Sequence, residues 1–395
     1  MSKIRFKGFH TSLERKQIGE ITTSFSGGTP KSSNKSYYEG DIPFIRSGEV
    51  KSKQTELFIS DEALQNSSAK MVEKGDILYA LYGATSGEVA ISQINGAINQ
   101  AILAIKPNSG CSSEFIMNYL KKEKDNILEK YLQGGQGNLS AAIVKSIELS
   151  LPSPDEQSAI GSLFRTLDDL LTSYKDILAN YQSLKATMLS KMFPKAGQTV
   201  PEIRLDGFEG EWEVVNLGTL IDNYDEIISG VSGFPIATSS RKGLYLQNDY
   251  FEGGRTGIDL TLDFHRVPMG YVTYRHMSDD SIFKFNKNNF ETDVLVSKEY
   301  PVFMSNDSSD IDFILYHLNN SRLFLRFSTM QKLGGTRVRL YYKNLITYKL
   351  AVPTVKEQQA IGAYFSNLDN LINSHQEKIS QLEIFKKKLF QDMFI

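Results

Sequence analysis

A single cysteine, Cys111, stands in 395 residues. One thiol excludes a disulfide framework and any zinc site built on cysteine pairs. Such cysteine usage fits a reducing compartment, and the cytoplasm is the expected location. The five histidines, His10, His265, His276, His317 and His375, show no metal-ligand spacing. No apolar run is long enough to cross a bilayer, so no membrane association is expected. The opening MSKIRFKGFH has basic residues with no apolar stretch behind them, so no secretion signal is expected either.

Catalytic signatures are missing too. There is no Gly-x-x-x-x-Gly-Lys-Ser/Thr phosphate loop and no glycine-rich nucleotide fingerprint after a strand. The Asn/Asp-Pro-Pro-aromatic tetrapeptide of amino-methyltransferases is absent. One nuclease-like pattern can be assembled from Asp41 with Glu49-Val50-Lys51, but it is short and charged surface turns explain it. The expectation is a chain with no catalytic residue, no metal and no cofactor.

Charge of one sign is also lacking. The net charge of −2 does not advertise nucleic-acid binding, which a strongly basic balance would. Residues 1–150 carry 18 basic and 16 acidic side chains, and residues 201–350 carry 16 and 20. Any phosphate contact must come from local patches. One such patch runs from Ser321 to Lys349, with seven basic residues and no acid. Phe324, Phe327, Tyr341, Tyr342 and Tyr348 interleave with its cations.

What is present is repetition. PSPDEQSAIGSLFRTLDDLL from Pro152 matches PTVKEQQAIGAYFSNLDNLI from Pro353, 201 residues later. The alignment runs without a gap to Phe193 and Phe394, with about a third of positions identical. IRFKGF at Ile4–Phe9 likewise matches IRLDGF at Ile203–Phe208. The regions between, about 20–150 and 219–350, resemble each other little beyond Gly134-Gly135 and Gly334-Gly335.

The repeated segments read as helices. Ser153-Pro154-Asp155-Glu156 and Thr354 to Glu357 have the Ser/Thr-x-x-Glu capping box, the first with proline at the opening helical position. Ile160, Phe164, Leu167, Leu171, Tyr174, Leu178 and Tyr181 alternate at spacings of four and three, a heptad seam. Ile361, Phe365, Leu368, Ile372, His375, Ile379 and Leu382 repeat it. Two matched seams predict two long helices packed on each other, antiparallel, with a pseudo-two-fold relation between halves. The alternative is that each packs only on its own domain. In the variable regions, strands are expected at 76–82, 101–105, 270–274 and 293–296, and helices at 114–130 and 311–327.

The expected fold is therefore α/β of the α+β kind. Globular mixed domains at 1–150 and 201–350 are joined by helical segments at 151–200 and 351–395 as an antiparallel coiled coil. Dissimilar domains on similar helices suit a reader of two different features at fixed separation. DNA readers place their elements about 34–36 Å apart, and helices on the order of 50 Å long could serve as the ruler.

The two Pro-x-x-x-Glu-Gln starts, their helices ending in Met-Phe, and GGTPKSSNKSYYEGDIPFIRSGEV at Gly27–Val50 resemble the specificity subunits of type I restriction–modification systems. The resemblance covers nearly the whole chain in plan. It implies two target recognition domains, each reading half of a bipartite, asymmetric site in double-stranded DNA. It implies helices that set the spacer and dock two modification (methyltransferase) subunits. Those subunits bind S-adenosylmethionine and methylate adenine, and restriction subunits join them to cleave DNA using ATP. It carries over no catalytic residue.

DNA-contact candidates are chosen by chemistry, since polar and cationic side chains reach phosphates and base edges. In the first domain they are Thr29, Lys31, Ser32, Lys35, Arg46, Tyr82, Ser86, Gln136 and Asn138. In the second they are Arg241, Gln247, Asn248, Arg255, Arg275, His276, Lys332, Arg337 and Arg339. Glu156-Gln157 and Glu357-Gln358 are the candidates for partner contact, because capping accounts for the glutamates but not the glutamines. Two rival readings remain: a coiled-coil scaffold bearing two protein-binding domains, and an enzyme with degenerate motifs.

Overall fold

The structure, a computed structural model, describes residues 4–132, 138–250, 259–332 and 337–394. Two compact units divide the chain: Met1–Asp176 with Glu377–Ile395, and Ile177–Gln376. Each therefore takes a segment of both long helices.

In the first unit the apolar run Ile77–Ala80 is buried along its whole length. It forms an interior strand of a four-stranded antiparallel sheet, ordered Thr22–Ser26, Ile102–Pro107, Ile77–Ala80, Val89–Ile91. The second unit builds the same order from Ile221–Tyr224, Val302–Ser305, Val272–Tyr274 and Phe285–Lys287, again antiparallel. Tyr79 and Tyr274, both fully buried, hold corresponding places. The repeat thus extends into regions whose sequences look unrelated. Both units also have a matching antiparallel pair, Glu14–Gln17 with Glu148–Leu151 and Glu213–Asn216 with Lys349–Val352, while the other sheets differ. The first unit adds four short strands with one parallel pair, Ile42–Ile45 beside Gly96–Ile98. The second adds a three-stranded sheet and the hairpin Ala237–Ser240/Gly243–Leu246.

The amphipathic helices expected at 114–130 and 311–327 are each broken in two. The chain forms Ser113–Lys122 and Lys124–Leu132, then Ile311–Asn320 and Arg322–Met330. At the second break Ser321 takes an extended conformation and its hydroxyl accepts from the amides of Leu323 and Phe324, starting a new helix. Aromatics of the basic stretch turn inward here: Phe324 and Tyr348 are core residues, not stacking surfaces for bases.

The long helices span Pro154–Lys191 and Val355–Met393. Thirty-eight residues rise about 57 Å. In the first unit Phe164 meets Phe390 at 4.2 Å and Lys175 bonds Glu383. In the second, Tyr181 meets His375 at 5.4 Å and Lys185 bonds Asp369. Partner numbers fall as helix numbers rise, so the pairing is antiparallel in each unit. The seam also packs on its own domain: Ile160, Phe164 and Leu167 join the first core, Ile361, Phe365 and Leu368 the second. Matched glycines permit this. A Cβ at Gly161 would stand 2.7 Å from Glu114 Cβ, and one at Gly362 2.7 Å from Asp310 Oδ1.

Only half of each capping box forms. Ser153 and Thr354 hydroxyls accept from the Glu156 and Glu357 amides at 3.4 and 3.5 Å. The glutamates turn instead to the lead-in segments, where Arg5 and Arg204 fork onto Glu156 and Glu357. The lead-ins also start alike: the Ile4 amide donates to Asp392 O, and the Ile203 amide to Lys191 O.

Candidate nucleic-acid interface

Four distant segments of the first unit meet around Ile98–Ala101. The Gly28 amide donates to Ile98 O, Asn99 to Ile45 O, Leu81 to Ala101 O, and Leu139 to Leu81 O. Thr29, Arg46, Tyr82 and Asn138 follow or flank these anchors, so the fold gathers them along one edge. Thr29 donates to the exposed Gln100 side chain. Gln100, with the half-buried Asn99, is missing from the sequence-based set. A polar pair closing an apolar strand was the available signal, and glutamine pairs well with adenine edges.

Lys31, Ser32 and Lys35 lie exposed on the loop before the single turn Lys35–Tyr38. Tyr38 pins this loop by donating to Pro30 O at 2.7 Å. Arg46 is tied down. Its Nε and Nη2 donate to Glu49 at 3.1 and 3.0 Å, and Nη2 also to Glu56 at 2.9 Å. The Glu49 hydrogen bonds raise the guanidinium pKa still further. Nη1 remains unengaged among the described residues. Ser86 spends its hydroxyl on Leu81 O inside its own loop. Asn138 is exposed, and Gln136 lies outside the described residues.

The second unit repeats the key anchor: the Leu340 amide donates to His276 O at 2.8 Å, as Leu139 does to Leu81 O. Arg339 thereby occupies the place of Asn138. Arg275, exposed, opens the adjoining loop, and Met277 pairs with Arg339. Arg337 donates to Asp279 at 2.9 Å and Arg241 to Asp280 at 2.5 Å. The Arg241 bond leads the effects holding the Asp280 carboxyl down at about 2. Lys332 and Asn248 are exposed; Gln247 is half-buried with Oε1 lacking a hydrogen bond among the described residues. Arg255 lies outside the described residues.

Two expectations need correction. His276 is 4% exposed, stacks on Tyr341 at 5.5 Å, and has its pKa lowered by burial, so it supports the edge instead of touching a ligand. Glu156, Gln157, Glu357 and Gln358 are each 1% exposed and cannot meet a partner. Gln157 accepts from the Ser112 amide and donates to Pro152 O. Gln358 accepts from the Asp310 amide and donates to Pro353 O. The glutamines tie each long helix to its domain.

A family model described as "Type I restriction modification DNA specificity domain" matches residues 12–180 and 248–384. The type I restriction enzyme MjaVIII specificity subunit of Methanocaldococcus jannaschii is 21% identical over 394 residues, covering 94% of this chain and 90% of that protein. The MjaIX specificity subunit of the same organism is 30% identical over 168 residues, 40% of this chain and 38% of that protein. A solved S subunit of a type I restriction–modification system from M. genitalium has a TM-score of 0.61 at 14% identity, covering 100% and 99% of the two chains.

Proposed function

The chain belongs to the type I restriction modification DNA specificity family, and from that premise we propose that it reads a bipartite, asymmetric site in double-stranded DNA. Residues 1–150 read one half and residues 201–350 the other. The observation that carries this reading is one sheet order built twice with different residues at the same edge. Where the first domain offers Asn138 beside Tyr82, the second offers Arg339 beside Met277. A common frame with exchanged side chains suits two unlike half-sites.

The chain is a specificity subunit and has no catalytic role. S-adenosylmethionine belongs to the methyltransferase subunits and ATP to the restriction subunits. Among the described residues no helix is long and apolar enough to cross a membrane. A function on DNA fits a cytoplasmic location.

The helices fix the spacer and dock two methyltransferase subunits. Supporting this, Leu170 and Phe385 in the first unit are 40% and 50% exposed, and their repeat counterparts Leu371 and Leu184 in the second are 41% and 42%. Leu170, Tyr174, Leu382 and Phe385 line one shallow groove. Two equivalent apolar patches call for two copies of one partner.

Genome-wide adenine methylation with and without the gene tests the proposal. One bipartite motif disappears on deletion, and exchanging residues 1–150 for those of a relative alters one half of it. Unchanged methylation in a strain expressing the gene and its methyltransferase would overturn the reading in favour of a scaffold.

A further inference from the structure

The hairpin Ala237–Ser240/Gly243–Leu246 carries Arg241 and Lys242 at its two-residue tip. Ser240 shapes the tip: its hydroxyl accepts from the Lys242 amide at 3.1 Å and donates to Gly243 O at 3.0 Å. Gly243, at φ 142°, supplies the backbone region closed to other residues. A two-stranded ribbon fits the major groove of DNA.

The tip faces a cleft of about 430 Å³ lined on its other side by Arg275, Asp279, Lys284 and Tyr300. Four cations border this cleft, and its one lining acid, Asp279, is engaged with Arg337. Residues 201–350 as a whole are acidic, 20 against 16, so the concentration is local. Arg275 and Lys284 have no hydrogen bond or ion pair among the described residues. A polyanion is the ligand class that such a cleft attracts.

One cation of the four is aimed. Asp280 accepts from Arg241 Nη2, from Ser278 Oγ at 2.8 Å and from the Ile282 amide at 3.1 Å. Its loop is held from two sides. Met277 and Ser278 pair with Arg339 and Val338, and Ser328 donates from the core to Ser281 O. Ser281 itself sits at φ 67°, a conformation a serine keeps only where its surroundings over-determine it, as ligand clamps do. Asp280 engages a single nitrogen of Arg241, whose side chain is 58% exposed, and leaves the other guanidinium nitrogens available.

Resting on the DNA-reading function above, we propose that Arg241, positioned by Asp280, reads a guanine through its O6/N7 edge in the half-site of the second domain, with Arg275 holding the neighbouring phosphate. The bidentate arginine–guanine contact is the commonest specific pairing in the major groove. Asp280 acts through Arg241 and is a positioning residue.

The test uses the full chain co-expressed with its methyltransferase subunits, reading the methylated motif genome-wide and binding to duplexes substituted one position at a time. Arg241→Ala is expected to make one guanine of one half-site degenerate, with discrimination there falling about 5- to 150-fold. The other half keeps its sequence. Arg241→Lys keeps the charge and fold but not the fork, and relaxes the same position. Asp280→Asn relaxes that position too while salt dependence stays unchanged, a result that loss of folding would not give. Arg275→Ala weakens all sequences alike and lowers the salt slope by about one. An unaltered motif in Arg241→Ala and Arg241→Lys, or equal weakening at every position, overturns the assignment while leaving the DNA-reading function standing. A wild-type chain that specifies no motif overturns both.

Discussion

Arg204 grips Glu357 with both ends of its guanidinium, Nε to Oε1 and Nη2 to Oε2, each at 2.7 Å. The carboxylate side chain is 1% exposed, and the arginine also donates to the carbonyls of Gly210 and Glu209. Arg5 and Glu156 make the same clamp in the other unit. Each joins a short lead-in to the start of a long helix, 151 and 153 residues away in sequence, so a local segment is welded to the element that follows its whole domain.

Arg204→Ala strands that carboxylate without a partner. Breaking a buried pair by removing one member costs about 3–5 kcal/mol, whereas replacing both members with apolar residues of similar size is often neutral. Urea denaturation should register this loss for Arg204→Ala, and Arg204→Met with Glu357→Leu should recover most of it. Equal losses in the single and double variants would mean that the loss comes from the Arg204 bonds to the Gly210 and Glu209 carbonyls and not from the stranded carboxylate.

Much of this was legible in the sequence and some was not. The capping box, the seam and the repeated IR-x-x-GF all announce the helices and lead-ins, because helix periodicity and caps are local signals. The partner of Glu156 was not legible, because a capping glutamate and a clamped glutamate carry the same letter. The buried glutamines failed for the same reason: side chains that satisfy backbone groups distant in sequence look like exposed polar residues. His276 looked like a base reader until the strand Val272–Tyr274 and the pairing of Met277 with Arg339 carried it under Tyr341. The common sheet order stayed hidden because strands of three to six residues need only apolar character, which many sequences supply.

Gly362→Ala should destabilise the second unit despite alanine's better helix propensity. The new Cβ would fall 2.7 Å from Asp310 Oδ1, the oxygen that caps the helix Ile311–Asn320 by accepting from the Phe313 amide. Alanine gains about 0.8–1 kcal/mol in a helix interior, while a lost aspartate cap costs about 0.5–2 kcal/mol and the contact adds strain. A thermal melt that rises for Gly362→Ala would show that Asp310 swings aside freely.

Acid should loosen the first unit through Glu49. Burial acts to raise its pKa, but hydrogen bonds from Arg46 and the Arg46 and Glu56 amides prevail, bringing it from 4.5 to about 2. A carboxyl depressed in the folded state contributes stability that is present above its unfolded pKa and is lost as pH falls through the folded value. The window therefore runs from about pH 4.5 down to about 2. Glu49→Gln should flatten the dependence of urea midpoint on pH across that window. An identical slope in wild type and Glu49→Gln would remove Arg46 and Glu49 from the account of acid stability.

The matched apolar pairs on the helices give the last prediction. Leu170 with Phe385, and Leu371 with Leu184, are half-exposed at repeat-equivalent positions. Fully burying such a side chain contributes about 1.5–3 kcal/mol, so covering the exposed half of each contributes roughly 1. Replacing one pair by aspartate should cost about 2 kcal/mol or more, roughly thirtyfold in affinity for the methyltransferase subunit at that patch. Mass measurement of the assembled complex should then give one methyltransferase per chain in place of the two proposed, and the second pair of substitutions should remove the other. Charged residues at both patches with two subunits still bound would move the docking surface off the helices, and the repeat would have to be explained by the spacing of the DNA half-sites alone.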